Sequence, residues 1–182
     1  MESSKTIIDV LDKQFELLIP QEQLSERINE IARQINEEYE GRNPLFIAIL
    51  NGSFIFAADL IREIDIPSEI SFIKLSSYAS LQSTGQIREL IGLQKNIFKR
   101  EIILVDDIVD SGNTMKWLIE HLRELGPTSI EVVSLLVKPE ALSNKIKIAY
   151  TGFEIPNKFV VGYGLDYDGY GRNFKDIYQL VE

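Results

Sequence analysis

EIILVDDIVDSGNTMKWL, residues 101–118, sets an apolar run against three aspartates, Asp106, Asp107 and Asp110, and follows them with Ser111-Gly112-Asn113-Thr114. Ile102 to Val105 has the composition of a short buried strand, and Met115, Leu118, Leu122 and Leu125 recur at the spacing of one helix face, which Gly126-Pro127 stops. Like charges this close repel, so the segment needs a cationic or hydroxyl-rich partner. Adjacent strand residues point to opposite faces, and this is expected to keep the Asp106 and Asp107 carboxylates apart. The residues after Asp110 lead into the helix, where free backbone N–H groups, the positive dipole end and two hydroxyls make a place for a phosphate. Gly112 permits a tight turn or a close approach there. Acids beside a phosphate cradle fit a sugar phosphate, with its phosphate in the loop and its vicinal hydroxyls on the carboxylates. A pyrophosphate would bring Mg²⁺ to bridge acids and anions. Helix capping explains one such acid, but three are harder to account for.

The neighbouring segments extend the pattern. Residues 45–50 (LFIAIL) form an apolar run of strand length, and after Asn51-Gly52 comes a helical pattern of Phe54, Ala58, Ile61 and Ile64. Strand, tight turn and helix open a parallel α/β unit. Leu24, Ile28, Ile31 and Ile35 predict an amphipathic helix over 21–40. Residues 69–78 alternate as a strand with a partner at 86–93, and the polar ASLQSTG between them reads as a mobile surface loop. Further strands are expected at 129–138, 146–151 and 158–163, and the C-terminal YQLV is expected to close the sheet edge. The fold class is therefore α/β, an open and mostly parallel sheet flanked by helices, in a single domain over 1–182. Such sheets bind ligands at the carboxyl ends of their strands, which aligns 50–53, 106–114, Lys138 and 163–168 on one rim.

The net charge of −9 and the absence of a Lys/Arg cluster argue against nucleic-acid binding, which needs basic residues to displace counterions. No cysteine is present, which excludes disulfides and thiolate chemistry. The single histidine, His121, falls in a helical pattern and is expected on a helix surface. The longest uncharged stretch, 43–58, is too short to span a bilayer, and no apolar h-region follows a basic start. A cytoplasmic protein with no membrane partner is expected. Neither G-x-x-x-x-G-K-[ST] nor G-x-G-x-x-G occurs, so Walker-type and dinucleotide-binding sites are not indicated.

VDDIVDSGNT, residues 105–114, resembles the phosphoribosyl pyrophosphate (PRPP) motif of the type I phosphoribosyltransferases. The other rim segments are similar to those of the hypoxanthine-guanine phosphoribosyltransferases. Leu50-Asn51-Gly52-Ser53 resembles the pyrophosphate loop, and Ser77-Tyr78 with Gln82-Ser83-Thr84-Gly85 the flexible catalytic loop. Leu136-Val137-Lys138, Phe159 through Tyr167, and Arg172 resemble the purine-binding segments. The matches keep the family's order over about 45–173. The resemblance implies a small hood over the sheet, and transfer of phosphoribose from PRPP to hypoxanthine or guanine with Mg²⁺.

It also implies residue roles. Asp106 and Asp107 would hold the ribose hydroxyls, directly or through Mg²⁺-bound water. Asp110 to Thr114 (Ser111, Gly112 and Asn113 between them) would take the 5′-phosphate. Asp110 would also accept the purine N7 proton as N9 attacks C1′. Lys138 would donate to the purine O6, Phe159 would stack on the base, and the Val160 backbone would read its edge. Asp166 would bind a second Mg²⁺, and Arg172 with the Leu50–Gly52 backbone would contact pyrophosphate, often through an unusual peptide geometry. Ser77 and Tyr78 would ride on a loop that closes over the reaction centre. The chain departs from the family at Asn51 and Asn113, where Lys is frequent, and at Asp106, where Glu is frequent. Alternatives are a PRPP-sensing nucleic-acid-binding regulator and a phosphoribosyltransferase for another base. Exposed apolar positions near Phe54 and Phe56 suggest a homodimer or homotetramer.

Overall fold

The computed structural model describes residues 6–77, 87–93 and 95–181. The chain opens with a hairpin, β1 (Ile7–Val10) and β2 (Lys13–Ile19), that no sequence expectation covered. Helix α1 (Gln21–Glu38) follows, its buried Leu24, Ile28, Ile31, Ala32 and Ile35 forming the anticipated stripe. Pro20 at its start provides no side-chain cap. Asp176, far along the chain, instead accepts from the Gln21 N–H at 2.8 Å.

The middle of the chain builds the main sheet. In order come β3 (Leu45–Leu50), α2 (Phe54–Arg62), β4 (Glu69–Ser77), β5 (Ile87–Ile91), β6 (Glu101–Val109), α3 (Asn113–Arg123), β7 (Ser129–Val137) and β8 (Tyr150–Glu154). The sheet order is β5-β4-β3-β6-β7-β8; five strands run parallel and β5 is antiparallel to β4. Strand alternation sends Leu45, Ile47, Ile49, Ile102 and Leu104 to the face covered by Met115, Leu118 and Leu122 of α3. Phe46, Ala48, Ile103 and Val105 go to the opposite face, under α1 and Phe56, Ala57 and Leu60 of α2. A strand buried on both sides reads as a continuous apolar run, which is why β3 was evident from LFIAIL.

The last strands, β9 (Val160–Val161) and β10 (Ile177–Leu180), join the hairpin in a second, antiparallel sheet of order β1-β2-β10-β9, the hood. This corrects the expectation that YQLV closes the main sheet. That edge belongs to β8, where Arg27 of α1 donates to the Thr151 and Gly152 carbonyls at 2.7 and 3.1 Å. β10 finds its partners in β2 and β9 instead. The strand expected at 146–151 begins only at Tyr150, because Ile146 and Ile148 pack on the α3-side core. Phe54 is exposed as expected, but Phe56 is fully buried under the sheet, so the suggested apolar surface patch loses one of its two rings.

His121 stacks on Trp117 with centroids 5.1 Å apart, on helix α3. Among the described residues no helix is long and apolar enough to cross a membrane. Ile103, 0% exposed at the centre of β6, should be the most sensitive kind of core position. Ile103→Ala is expected to lower unfolding free energy by about 2–5 kcal/mol, measured by urea denaturation with an unchanged m-value.

Candidate active site

Strand β6 runs on to Val109, four residues beyond the apolar run, with Asp106 opposite Ser134 and Val109 opposite Val137. Asp106 and Asp107 therefore belong to the strand and do not emerge from its end. Their carboxyls are also not kept apart by alternation: they lie close enough for each to perturb the other's proton affinity. Burial, then the neighbouring charge of Asp107, holds the Asp106 carboxyl well above the ordinary value of 3.8. Burial raises Asp107 as well, partly offset by its hydrogen bonds to Asp106 and to the backbone N–H groups of Asp107 and Ile108, and by the Arg172 charge.

The next residues form the expected cradle. Gly112 sits at φ 78°, a left-handed conformation, and is itself the N-cap residue of α3. Gly112 has no side chain to cap the helix; Ser111 Oγ accepts from Asn113 N at 3.4 Å, while Asp110 turns to Lys138, so capping accounts for none of the three acids. A concavity of about 100 Å³ is lined by Asp106, Asp110, Ser111, Gly112, Asn113 and Thr114, among others. The loop is braced from behind. Ser111 O accepts from Ser143 N at 3.2 Å, Ser143 Oγ at 3.1 Å and Asn144 Nδ2 at 3.4 Å, and Asn144 Nδ2 also donates to Asn113 Oδ1 at 2.6 Å. Sequence reasoning missed Ser143 and Asn144, whose only local signal was a polar pair between elements.

Asp110 points elsewhere. Its Oδ2 accepts from Lys138 Nζ at 2.8 Å. Lys138 is only 7% exposed, and its N–H donates to Val109 O at 3.0 Å. Buried lysines are rare unless paired, so Lys138 is not the solvated strand-end lysine that composition alone would suggest.

Across the rim, the 50–53 loop joins β3 to α2. The Leu50–Asn51 peptide bond is cis. Ser53, fully buried, donates its hydroxyl to Ile49 O at 2.5 Å. A Cβ on Gly52 would lie 1.7 Å from Asp107 Oδ2, so the bare backbone here makes room for that carboxylate.

The hood supplies the remaining wall. Phe159 is 45% exposed and packs against Phe15 (6.4 Å) and edge-on against Tyr167 (5.8 Å). Tyr167 in turn donates to Asp12 at 2.9 Å, another contact invisible to local sequence patterns. Val160 is buried in β9. Asp166 Oδ1 pairs with Arg172 Nη2 at 2.6 Å, and its Oδ2 accepts from Gly169 N–H at 2.7 Å. The structure thus brings Asp166 and Arg172 together. Ser77 ends β4; Tyr78 and the loop expected at 79–85 lie outside the described residues.

No group of three or more His, Cys, Asp or Glu side chains that could hold a metal ion occurs among the described residues. Two adjacent acids held toward the protonated form nevertheless suit Mg²⁺, which takes one or two carboxylates and completes its shell with water and substrate oxygens. Asp106 and Asp107 fit such an ion. Asp166 is engaged by Arg172 and by Gly169, so an ion there would compete with that guanidinium.

The site's relatives are consistent with its geometry. The phosphoribosyl transferase domain profile matches residues 20–168. The chain is 43% identical over 159 residues to a hypoxanthine-guanine phosphoribosyltransferase of Mycobacterium tuberculosis, covering 84% of this chain and 79% of that protein. The chain belongs to the hypoxanthine-guanine phosphoribosyltransferase family. A second member, from Lactococcus lactis, is 42% identical over 90% of each chain. Among solved structures, a hypoxanthine-guanine phosphoribosyltransferase of Bacillus anthracis superposes with a TM-score of 0.87 at 40% identity, covering 97% of this chain and 100% of that one. The hypoxanthine phosphoribosyltransferase of Trypanosoma cruzi gives 0.82 at 35% identity, over 90% and 95% of the two chains. The architecture is that of the type I fold, a parallel sheet with a hood.

The raised carboxyls have a thermodynamic consequence. Above the ordinary value of 3.8 the folded protein retains a proton that the unfolded chain releases, so this corner makes stability fall as pH rises from there. Asp106→Asn keeps the hydrogen-bonding shape without the charge. In metal-free buffer at pH 7 its melting temperature should exceed that of the parent by roughly 2–4 °C, the response to about 1 kcal/mol in a chain of this size. The difference should close as the pH approaches 4, and equal melting temperatures at both pH values would refute the raised proton affinity of this corner.

Proposed function

We propose that the protein transfers the 5-phosphoribosyl group of PRPP to hypoxanthine or guanine, giving IMP or GMP and pyrophosphate. It is a purine-salvage transferase, and Mg²⁺ is its ion. The observation that carries the assignment of roles is the pairing of exposed Asp110 with buried Lys138 at 2.8 Å, directly beside a phosphate-sized cradle. One rim thus offers a proton acceptor, a fixed cation and a helix N-terminus.

In this reading the 5′-phosphate occupies the Asp110–Thr114 loop, where N–H groups at the start of α3 receive it. The ribose hydroxyls face Asp106 and Asp107. Mg²⁺, held by those two carboxylates and by donor oxygens, would neutralise the diphosphate as it leaves. The Leu50–Gly52 backbone and Arg172 take up the departing pyrophosphate, and Asp166 orients Arg172. The base lies against Phe159, with Val160 at its edge and the Lys138 ammonium on O6. An ammonium can donate to the 6-oxo group but has nothing to accept from an adenine amino group, and this selects hypoxanthine and guanine.

The bond change then balances. N9 of the purine forms the bond to C1′ while the bond from C1′ to the pyrophosphate oxygen breaks. The N7 proton passes to the Asp110 carboxylate. Two negative charges near C1′, on Asp110 and the departing diphosphate, favour its cationic character in the transition state. Lys138 ties the acceptor to the base: the pair keeps Asp110 pointed while the ammonium stays close to O6. Free PRPP and free purines place the reaction in the cytoplasm. A second copy of the chain covering exposed Phe54 would give the homodimer or homotetramer.

A panel of hypoxanthine, guanine, xanthine, adenine and pyrimidines with PRPP and Mg²⁺ should yield IMP and GMP, with adenine inert; absence of both products would overturn the proposal. Asp110→Asn preserves shape and removes the proton acceptor. Its turnover should fall by about 10²–10⁴-fold, read by steady-state IMP formation, with little change in melting temperature. Undiminished turnover would release Asp110 from its role.

A further inference from the structure

Residues 162–164 carry three consecutive positive φ angles, 102°, 49° and 100°, and the middle one belongs to Tyr163. A bulky side chain is uncommon in that region, so tertiary contacts must hold it there. Tyr163 is only 6% exposed, and its phenol donates to Asp59 Oδ2 on α2, the helix that begins at the end of the 50–53 loop. The Tyr163 N–H is held as well, by Phe174 O at 2.8 Å.

The next residue makes the contact that matters. Gly164 lies so close to the loop that a Cβ there would be 2.3 Å from Gly52 O. It is laced to Arg172 in both directions: Gly164 N donates to Arg172 O at 3.0 Å, and Arg172 Nη1 donates to Gly164 O at 2.6 Å. Arg172 also holds Asp166 at 2.6 Å. Gly52, in turn, lies against the Asp107 carboxylate. One line of contacts therefore runs from Asp59 through Tyr163 and Gly164 to Gly52, with Arg172 and Asp166 attached to it.

We propose that Tyr163 and Asp59 form a positioning pair for the pyrophosphate half of the donor, fixing Gly164, Arg172 and Asp166 against the 50–53 loop. This rests on the transferase function proposed above. Neither residue touches the reacting atoms; each acts through the backbone it holds. The phenol stays a donor throughout the physiological range, because burial and then the Asp59 carboxylate push its pKa upward. The purine half is anchored independently. Phe159 rests on Phe15 and Tyr167, its carbonyl accepts from Leu180 N at 2.8 Å, and Lys138 is held by Val109 O and Asp110.

Separate anchoring gives the pair a signature that general loosening would not share. Tyr163→Phe keeps the ring and removes the hydrogen bond. It should raise KM for PRPP and the Kd of Mg²⁺-pyrophosphate, measured calorimetrically, about tenfold, while KM for hypoxanthine changes less than about twofold. Asp59→Ala should match it, and the double variant should be no worse than either single one. Asp59→Asn retains an acceptor for the phenol and should restore near-parental values, which separates a lost hydrogen bond from a fold that fails. Equal rises in both KM values, additive singles, or an unchanged pyrophosphate Kd would overturn the pairing. Should the parent protein form no nucleotide, the transferase reading falls, while the pyrophosphate titration still decides the fate of the pair.

Discussion

Two neighbouring carboxyls sunk into the end of a central strand constrain everything around them. Asp106 and Asp107 lie side by side within β6, and burial drives both toward the protonated form. Burying two like charges together is costly unless a proton, a cation or hydroxyl donors offset them. The surroundings are shaped by this demand. Gly52 gives up a side chain to the Asp107 carboxylate, and Gly164 gives one up to the Gly52 carbonyl. The two glycines let three chain segments, distant in sequence, meet at backbone separation. In the proposed reaction, a donor that brings hydroxyls and magnesium would give both acids ligands they can hold while ionised.

In the proposed reaction, the two halves of the substrate pair are served by different parts of the fold around that corner. The phosphate side is built on the main sheet, at the start of α3, and is braced by Ser143 and Asn144 through the Ser111 carbonyl. The purine side is built on the hood, where Phe15, Phe159 and Tyr167 pack on one another. Asp110 and Lys138 stand between the two, one on each of two adjacent parallel strands' ends. That location suits a reaction in which one substrate's base must meet the other's C1′. Tyr163 with Asp59 and Gln21 with Asp176 are two of the directional contacts that join the hood segments to the helices packed on the sheet.

Much of this was legible in the chain. Doubly buried strands announce themselves as unbroken apolar runs, so β3, β6 and β7 were located to within a few residues, and the helix stripes of α1 and α3 followed from periodicity alone. The acid-rich loop after β6 was identified because its residue types serve one chemistry at one place in an α/β unit. Where the reading went astray, the deciding partner was remote. β6 continues through two acids because Ser134 to Val137 on β7 keep pairing with it. The carboxyls meet in spite of strand alternation, which fixes only the direction in which a side chain starts.

Local pattern thus determined the parallel sheet, its order of elements and the rim that carries the acids, since burial periodicity and turn chemistry act over a few residues. Tertiary structure alone decided that the C-terminal strand leaves the sheet for the hood. It did so because β2, more than a hundred residues earlier, supplies the backbone hydrogen bonds, while Arg27 takes carbonyls of the β8 edge. It alone likewise decided that Lys138 is buried against Asp110 and that Tyr163 reaches Asp59. Such pairings depend on the distance between side chains far apart in the sequence, and no periodicity encodes that distance.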